Sequence, residues 1–345
     1  MNATFREFPH ILKLSWPLIL AQLAQVGIVF TDVIMMGFLG TEALAGAGLG
    51  GTAFSFLQMF SFGVITVITN LVTSHKDDAL MVKNIVHAGL LIAGLLALCF
   101  SFILWNIEAI LVFLGQEPIV VHTASLYLGA IAWGMLPNLL FMTLRAFTIG
   151  VLQPQLVTTI TFGAMLLNII LNLFFVHTFP SLGVINLGLA SSLVFLIMCL
   201  VMIACVLFNP KLKAYGLLRD AKFFIPNILL KIMRLGFPMG MIFTFEAGFF
   251  TLGVFLAGLF GVVALAAHNA AIQLAFLTYM VSVGIANATS VTVSEAFGDK
   301  NFKRIHAIGR AGVFIGLIWM SIPAFYFCLF LSLLFIYSLI LMMRK

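Results

Sequence analysis

The chain has 345 residues, 63% of them apolar and only 8% charged, with a mean hydropathy of +1.21. A soluble domain of this length needs far more charge to cover its surface, so that class is excluded. The net charge of +6 does not mark a nucleic-acid partner, because the basic residues fall in short loops between apolar runs, where they orient helices in a membrane.

The apolar runs predict nine membrane-crossing helices, at roughly 13–39, 43–72, 85–107, 121–147, 154–177, 182–207, 235–260, 262–297 and 308–342. They are continuously apolar, without the ten-residue alternation of barrel strands, so the expected class is an all-α polytopic membrane protein. Spans longer than 25 residues imply tilt or interfacial extensions. The last run also reads as one span plus a re-entrant tail. No cleavable leader is expected, because Arg6, Glu7 and Lys13 precede a run too long for an h-region. Cys99, Cys199, Cys205 and Cys328 lie inside apolar runs without CxxC spacing, which suggests neither a disulfide framework nor a metal centre.

Orientation follows from the basic residues. Arg6 and Lys13 precede the first span, Lys76 and Lys83 follow the second, and Arg145 ends the fourth. Lys211, Lys213, Arg219, Lys222, Lys231 and Arg234 fill the loop after the sixth, while Lys300, Lys303, Arg304 and Arg310 follow the eighth. All fifteen fall on one side of nine spans, and only Arg344 and Lys345 dissent. The expectation is an inner-membrane protein with a cytoplasmic amino terminus.

The segment 208–234 reads as the one linker, between an amino-terminal lobe at 1–207 and a carboxy-terminal lobe at 235–345. Its part from Phe223 to Leu235 is a candidate surface amphipathic helix. Across the linker the sequence repeats at a fixed offset. Leu14 meets Leu235, Pro17 meets Pro238, Gly37 meets Gly258, Gly40 meets Gly261, and Ala43-Leu44-Ala45 meets Ala264-Leu265-Ala266. Both halves start on the same side, so the expected fold is two parallel-repeat helical lobes, six spans plus an incomplete second lobe of about three. A complete second half would end near residue 428 by the same offset, roughly three helices further on, so a carboxy-terminal truncation is expected.

Ionisable groups inside a bilayer cost about 2.5–3.5 kcal/mol each on insertion scales, which makes them candidates for function. Asp32 in the first span and Glu246 in the seventh are two such acids. Each suits a proton or a small hard cation, and the bland reading is a carboxylate hydrogen-bonded between helices. Asn168 and Asn172 in the fifth span share one helix face at i and i+4, and with Asp32 would make a sodium site or a protonation switch. Gln25 lies seven residues before Asp32 on the same face and is the repeat counterpart of Glu246. His268, Asn269 and Gln273 form a second polar group in the eighth span and, with Gln25, are candidates to line a substrate cavity. The bland reading for these amides is interhelical glue, and for a lone histidine it is packing. Glu295, beside Asp299, Lys300 and Lys303, reads as a solvated charge at a helix end.

Gly46, Gly48 and Gly51 match GxGxxG, but no strand precedes them, and close helix packing by small residues is the better reading. HExxH, GxSxG and Walker patterns are missing from the sequence, which argues against a membrane enzyme or an ATP-driven pump.

The run LSWPLILAQLAQVGIVFTDVIMMGFLGTEALAGAGLG at 14–50 resembles the opening of multidrug and toxic compound extrusion (MATE) transporters. The seventh span, LGFPMGMIFTFEAGFF, and the eighth resemble the corresponding parts of the NorM-like branch. The resemblance runs from about 10 to 310 and is weak between 73 and 120. It implies twelve helices in two lobes and export of organic cations and drugs in exchange for sodium or protons, with no other cofactor. It matches Asp32 to the amino-lobe acid, Asn168 and Asn172 to the amides beside it, and Glu246 to the carboxy-lobe acid. The chain departs from that branch at Thr292, where an arginine is usual, in the loop 73–84, and in ending before the tenth helix with its further acid.

Three readings follow. The first is an efflux antiporter driven through Asp32 and Glu246. The second is a non-transporting remnant, or a chain that self-associates to cover its incomplete lobe. The third is a lipid-linked oligosaccharide flippase of related architecture, which would want several cavity arginines where Arg145 is the single near-membrane one in the first half.

Overall fold

The structure, a computed structural model, describes residues 2–217 and 224–343, with side chains described except at 2–3, 255, 258–259, 262–266, 269–270, 274 and 330–343. Among the described residues the chain is helical and contains no strand. In chain order the helices are α1 Asn2–Phe38, α2 Thr41–Ser74, α3 Ala79–Trp105, α4 Ile107–Phe113, α5 Pro118–Ile131, α6 Met135–Gly150, α7 Pro154–Thr178, α8 Ile185–Phe208, α9 Pro210–Lys213, α10 Pro226–Leu259, α11 Val262–Gly298 and α12 Phe302–Met343.

Nine segments among the described residues are long and apolar enough to cross a bilayer, with α5 and α6 crossing together as Pro118–Gly150. The nine expected runs are all present, and the chain is a multi-pass α-helical membrane protein. Helices dominate because hydrocarbon offers no partner for a backbone N–H or C=O, so each span must satisfy its own. Exposed Phe102, Phe162 and Leu173 are lipid-facing side chains, which carry no penalty in a bilayer.

Two local features differ from the sequence reading, and the last run settles between its two readings. The fourth span is broken by a 3-10 turn at Ala132–Gly134, because Pro137 has no N–H for the carbonyl of Trp133, four residues before it, and crowds that carbonyl. Carbonyls at the break also accept from neighbouring helices. Ser101 Oγ donates to Ala132 O and Ser192 Oγ to Ala130 O, each at 2.9 Å. The stretch expected to lie on the surface is, from Pro226 onward, continuous with α10, and Phe223 itself lies outside the described residues. The last run forms one helix, α12, to Met343.

The repeat appears in the backbone. Gly40 and Gly261 each cap the amino end of a helix, α2 and α11, with φ +115° and ψ 174° in one and φ +99° and ψ 172° in the other. A side chain is excluded from that region of φ/ψ space, which explains why glycine stands at both points. Pro17 and Pro238 sit inside α1 and α10 at matching depth.

The halves meet where α1 packs on α11 and α2 on α10. Their closest approaches cluster at the end bearing the basic loops, here called the basic end. A Cβ on Gly63 would lie 2.5 Å from Gly240 Cα, one on Gly236 2.9 Å from Val64 O, and one on Gly284 3.0 Å from the Ile19 backbone. Small residues there let helix axes come close enough for dense packing, the main source of helix association in lipid. Toward the Gly40 and Gly261 end the packing loosens. Gly37, Gly48 and Gly51 face open space, so of the three glycines expected to pack closely only Gly46 does, against Thr123.

Candidate functional site

Asp32 sits six residues before the carboxy end of α1, and α7 and α8 are packed so that three of its neighbours are donors. Asn172 Nδ2 donates to Asp32 Oδ1 at 2.8 Å, Asn168 Nδ2 to the same oxygen at 3.1 Å, and Ser191 Oγ to Asp32 Oδ2 at 2.8 Å. Asn168 and Asn172 are fully buried and Asp32 is 8% exposed. Asn172 also donates to Asn168 Oδ1 at 3.2 Å, which fixes both amides with nitrogens toward the acid.

Asn172 Oδ1 is left buried with no hydrogen-bond partner among the described residues. A buried orphan acceptor is rare and calls for an explanation. Beside a carboxylate it is a hard oxygen that a sodium ion could share with Asp32, or the acceptor for a protonated Asp32 hydroxyl. The chemistry of the donor set therefore fits a sodium ion or a proton equally well.

The other acid, Glu246, has a single hydrogen-bond partner among the described residues. Tyr279 Oη on α11 donates to Glu246 Oε1 on α10 at 2.7 Å, with both residues part-buried. Asp32's own repeat counterpart is Gly253, which faces His268, and His268 Nε2 is buried without a partner among the described residues. Gln273 is exposed on α11, and the side chain of Asn269 lies outside the described residues.

Gln25 does not join Asp32. Its Oε1 accepts from Arg145 Nη1 at 3.0 Å, and Gln22 Oε1 accepts from Arg145 Nη2 at 2.7 Å. Arg145, expected at a cytoplasmic helix end, is instead 6% exposed and packed against the middle of α1. The reason is geometric: five residues from the end of α6, the long side chain turns inward toward two amide oxygens rather than out to water.

With the geometry in place, comparison with known proteins places the molecule. The MatE family model matches residues 17–174 and 238–341, which is most of the chain and both halves of the repeat. The chain belongs to the MatE family. It is 35% identical over 323 residues to the probable multidrug resistance protein NorM of Pseudomonas aeruginosa, covering 92% of this chain and 66% of that protein. A protein of the same name from Pseudomonas syringae pv. tomato is 34% identical over 317 residues, covering 90% and 69%. The chain spans about two thirds of the length of these relatives. Its fold is similar to that of a MOP superfamily transporter from Pyrococcus furiosus, at a TM-score of 0.81 and 21% identity, covering 92% of this chain and 71% of the other. MatE proteins form a family of multidrug efflux transporters, and this member is a transporter-family protein rather than an enzyme.

Within this MatE chain, the basic end holds a feature that sequence reading misjudged. Glu295, expected in solvent, is 8% exposed and accepts from Lys76 Nζ at 2.6 Å, with His10 Nε2 3.5 Å away. Arg304 grips Glu7 through Nε at 3.0 Å and Nη2 at 3.2 Å. These pairs join the loop after α2, the start of α12 and the start of α1 to the end of α11 across the two halves. Burial works to lower the Lys76 ammonium, but the hydrogen bond and charge of Glu295 outweigh it and hold it above its ordinary value. The stabilisation from this lysine needs Glu295 ionised, so it is present from neutral pH up to the lysine's ordinary 10.5 and is lost as pH rises past the elevated value. Glu295→Gln removes the charge that Lys76 and His10 face. We expect a coupling of about 1 kcal/mol in a double-mutant cycle with Lys76→Met, read from thermal unfolding in detergent. A coupling indistinguishable from zero would show that the pair holds nothing together.

Ser191, Gln22 and Tyr279 complete these sites and went unremarked in the sequence, where Lys76 was read only as an orienting charge. Only Gln22 carried a signal, since it stands three residues before Gln25 on one helix face.

Proposed function

We propose that this chain is a secondary active efflux antiporter, exchanging sodium or protons for amphipathic organic cations or drugs across the cell inner membrane. The observation that carries the reading is Asp32, a buried carboxylate with three donors and one spare oxygen, Asn172 Oδ1, at its side. Loading a cation on Asp32 competes with the Asn168, Asn172 and Ser191 hydrogen bonds, so it necessarily disturbs how α1 sits on α7 and α8. Such a change is the coupling that alternating access needs, since a ligand moves an equilibrium only through its different affinity for two states. The relatives' name, probable multidrug resistance protein NorM, supports drugs as the cargo.

The basic loops put the amino terminus in the cytoplasm by the positive-inside rule. The close-packed, ion-paired end is then the cytoplasmic one, and the looser end faces outward. In this reading the Asp32 site is reached from outside, and Glu246 acts as a second, subsidiary acid. A second copy of the chain would cover the exposed α12 face around Val313, Phe314, Leu317 and Ile318, which makes self-association part of the same proposal.

The test uses cells lacking their main drug pumps, loaded with ethidium and expressing the full chain at the membrane. An inward sodium pulse or an outside pH drop is expected to accelerate dye loss, and the effective one identifies the coupling ion. Glu246→Gln is expected to slow the initial rate about tenfold without abolishing it, on the scale of one lost charge-assisted hydrogen bond at 1.4 kcal/mol per decade. Dye loss unchanged by both gradients, from protein shown to be inserted, would refute antiport.

A further inference from the structure

The antiport site leaves one buried charge unused. Arg145 is 6% exposed, and no carboxylate lies within ion-pairing distance of it among the described residues. Gln22 and Gln25 take two of the five N–H donors of its guanidinium. Amide oxygens orient a guanidinium, but they do not neutralise it. A buried cation without a counter-ion is costly inside a membrane, and such residues face a cavity or a pathway when they occur.

Arg145 does face a cavity. It lies between the halves, walled by α2, α6 and α11, and Thr66, Thr69, Asn70, Asn287 and Ser290 supply its polar lining. Ser290 Oγ donates to Asn70 Oδ1 at 3.0 Å across the two halves. Phe62 and Met142 line the same space. The volume is about 40 Å³, and one water needs about 10–15 Å³ on that measure, so the cavity takes a group the size of a carboxylate but not an aromatic ring system.

We propose that Arg145 is an anion-recognition point at the floor of the inter-lobe space, taking the carboxylate of an amphipathic substrate. Substrates of this chain then include molecules that carry an acid group beside their apolar body, and not simple organic cations alone. A guanidinium matches a carboxylate with two parallel N–H bonds, the amide nitrogens of Asn70 and Asn287 add donors, and the ring system stays outside this small cavity. This assignment rests on reading the inter-lobe space as the substrate cavity, but not on any pumping activity.

The test is direct binding to the purified full chain in nanodiscs, without a gradient. The probes are tetramethylrhodamine with its free carboxylate and the methyl ester of the same dye, read by fluorescence polarisation. Wild type is expected to bind the acid about tenfold more tightly than the ester. Arg145→Gln is expected to erase that preference while leaving ester affinity within about twofold, and Arg145→Lys to keep part of it. Equal affinity for the two dyes in wild type overturns the proposal, whether or not any variant folds. So does a loss in Arg145→Gln that is the same for acid and ester, which would make the residue a brace between α6 and α1. A chain that prefers the acid through Arg145 but fails to pump would refute antiport and leave this site standing. Gradient-driven ethidium loss with no acid preference would do the reverse.

Discussion

Asp32→Asn is expected to reduce gradient-driven efflux to the level of cells without the protein, a fall of about a hundredfold or more, while the protein still folds. The substitution keeps the shape of the side chain and one acceptor oxygen, so at least one of the Asn168 and Asn172 contacts survives. Its new NH2 can donate to Ser191 Oγ, whose hydroxyl accepts as readily as it donates. What is lost is the negative charge, and with it the capacity to hold a sodium ion or a proton. Asp32→Ala makes the contrast: it leaves three buried donors facing nothing, at about 1–3 kcal/mol for each group left unsatisfied, so it should destabilise as well as inactivate. The measurements are initial ethidium efflux under the effective gradient and thermal unfolding in detergent, on the same preparations. Wild-type efflux from Asp32→Asn would reduce the acid, its amides and the spare Asn172 oxygen to a packing motif.

The parts of this molecule legible in its sequence are those where the bilayer imposes a single solution. Runs of some twenty apolar residues can only be spans, and an acid within one, such as Asp32, signals itself by its cost. Asn168 and Asn172 were readable because i,i+4 spacing on a helix is geometry rather than tertiary structure. Gly40 and Gly261 were readable as a repeat, and the backbone gives the reason, a φ/ψ combination that excludes side chains. Ser191 left no such trace, because a serine in an apolar helix ordinarily bonds its own preceding turn and costs little. Glu295 was misread for a related reason: its charge is compensated by Lys76, 219 residues away, and local sequence shows only the neighbouring Asp299 and Lys300. Arg145 was misplaced because span boundaries give depth along a helix but not which neighbour a long side chain turns to. The branch-point is thus local cost against distant compensation, and it is the compensating partners that the sequence hides.

Gly63→Ala should be among the most damaging single-methyl additions in the protein. A Cβ there would sit 2.5 Å from Gly240 Cα, 2.6 Å from its nitrogen and 2.7 Å from the Met239 carbonyl carbon, all of them backbone atoms that cannot rotate away. To restore ordinary carbon contact near 3.5–4.0 Å, α2 and α10 must move apart by about 1 Å. That displacement cannot stay local, because Val64 against Gly236 and Ile19 against Gly284 lie on the same interface. Overpacking of this kind typically costs about 1–3 kcal/mol, and here the strain falls on the closed end that separates the lobes from the basic side. The expected result is a lower unfolding midpoint together with at least a tenfold fall in efflux, because a floor that cannot close lets the driving gradient leak instead of moving cargo. Gly94→Ala on α3 is the control: its Cβ would meet nothing within 4 Å, and the change should be neutral or add about 1 kcal/mol through better helix propensity. If the two variants unfold and transport alike, the close-packed end does not persist in the working protein, and the proposal that the Asp32 site is reached from outside falls with it.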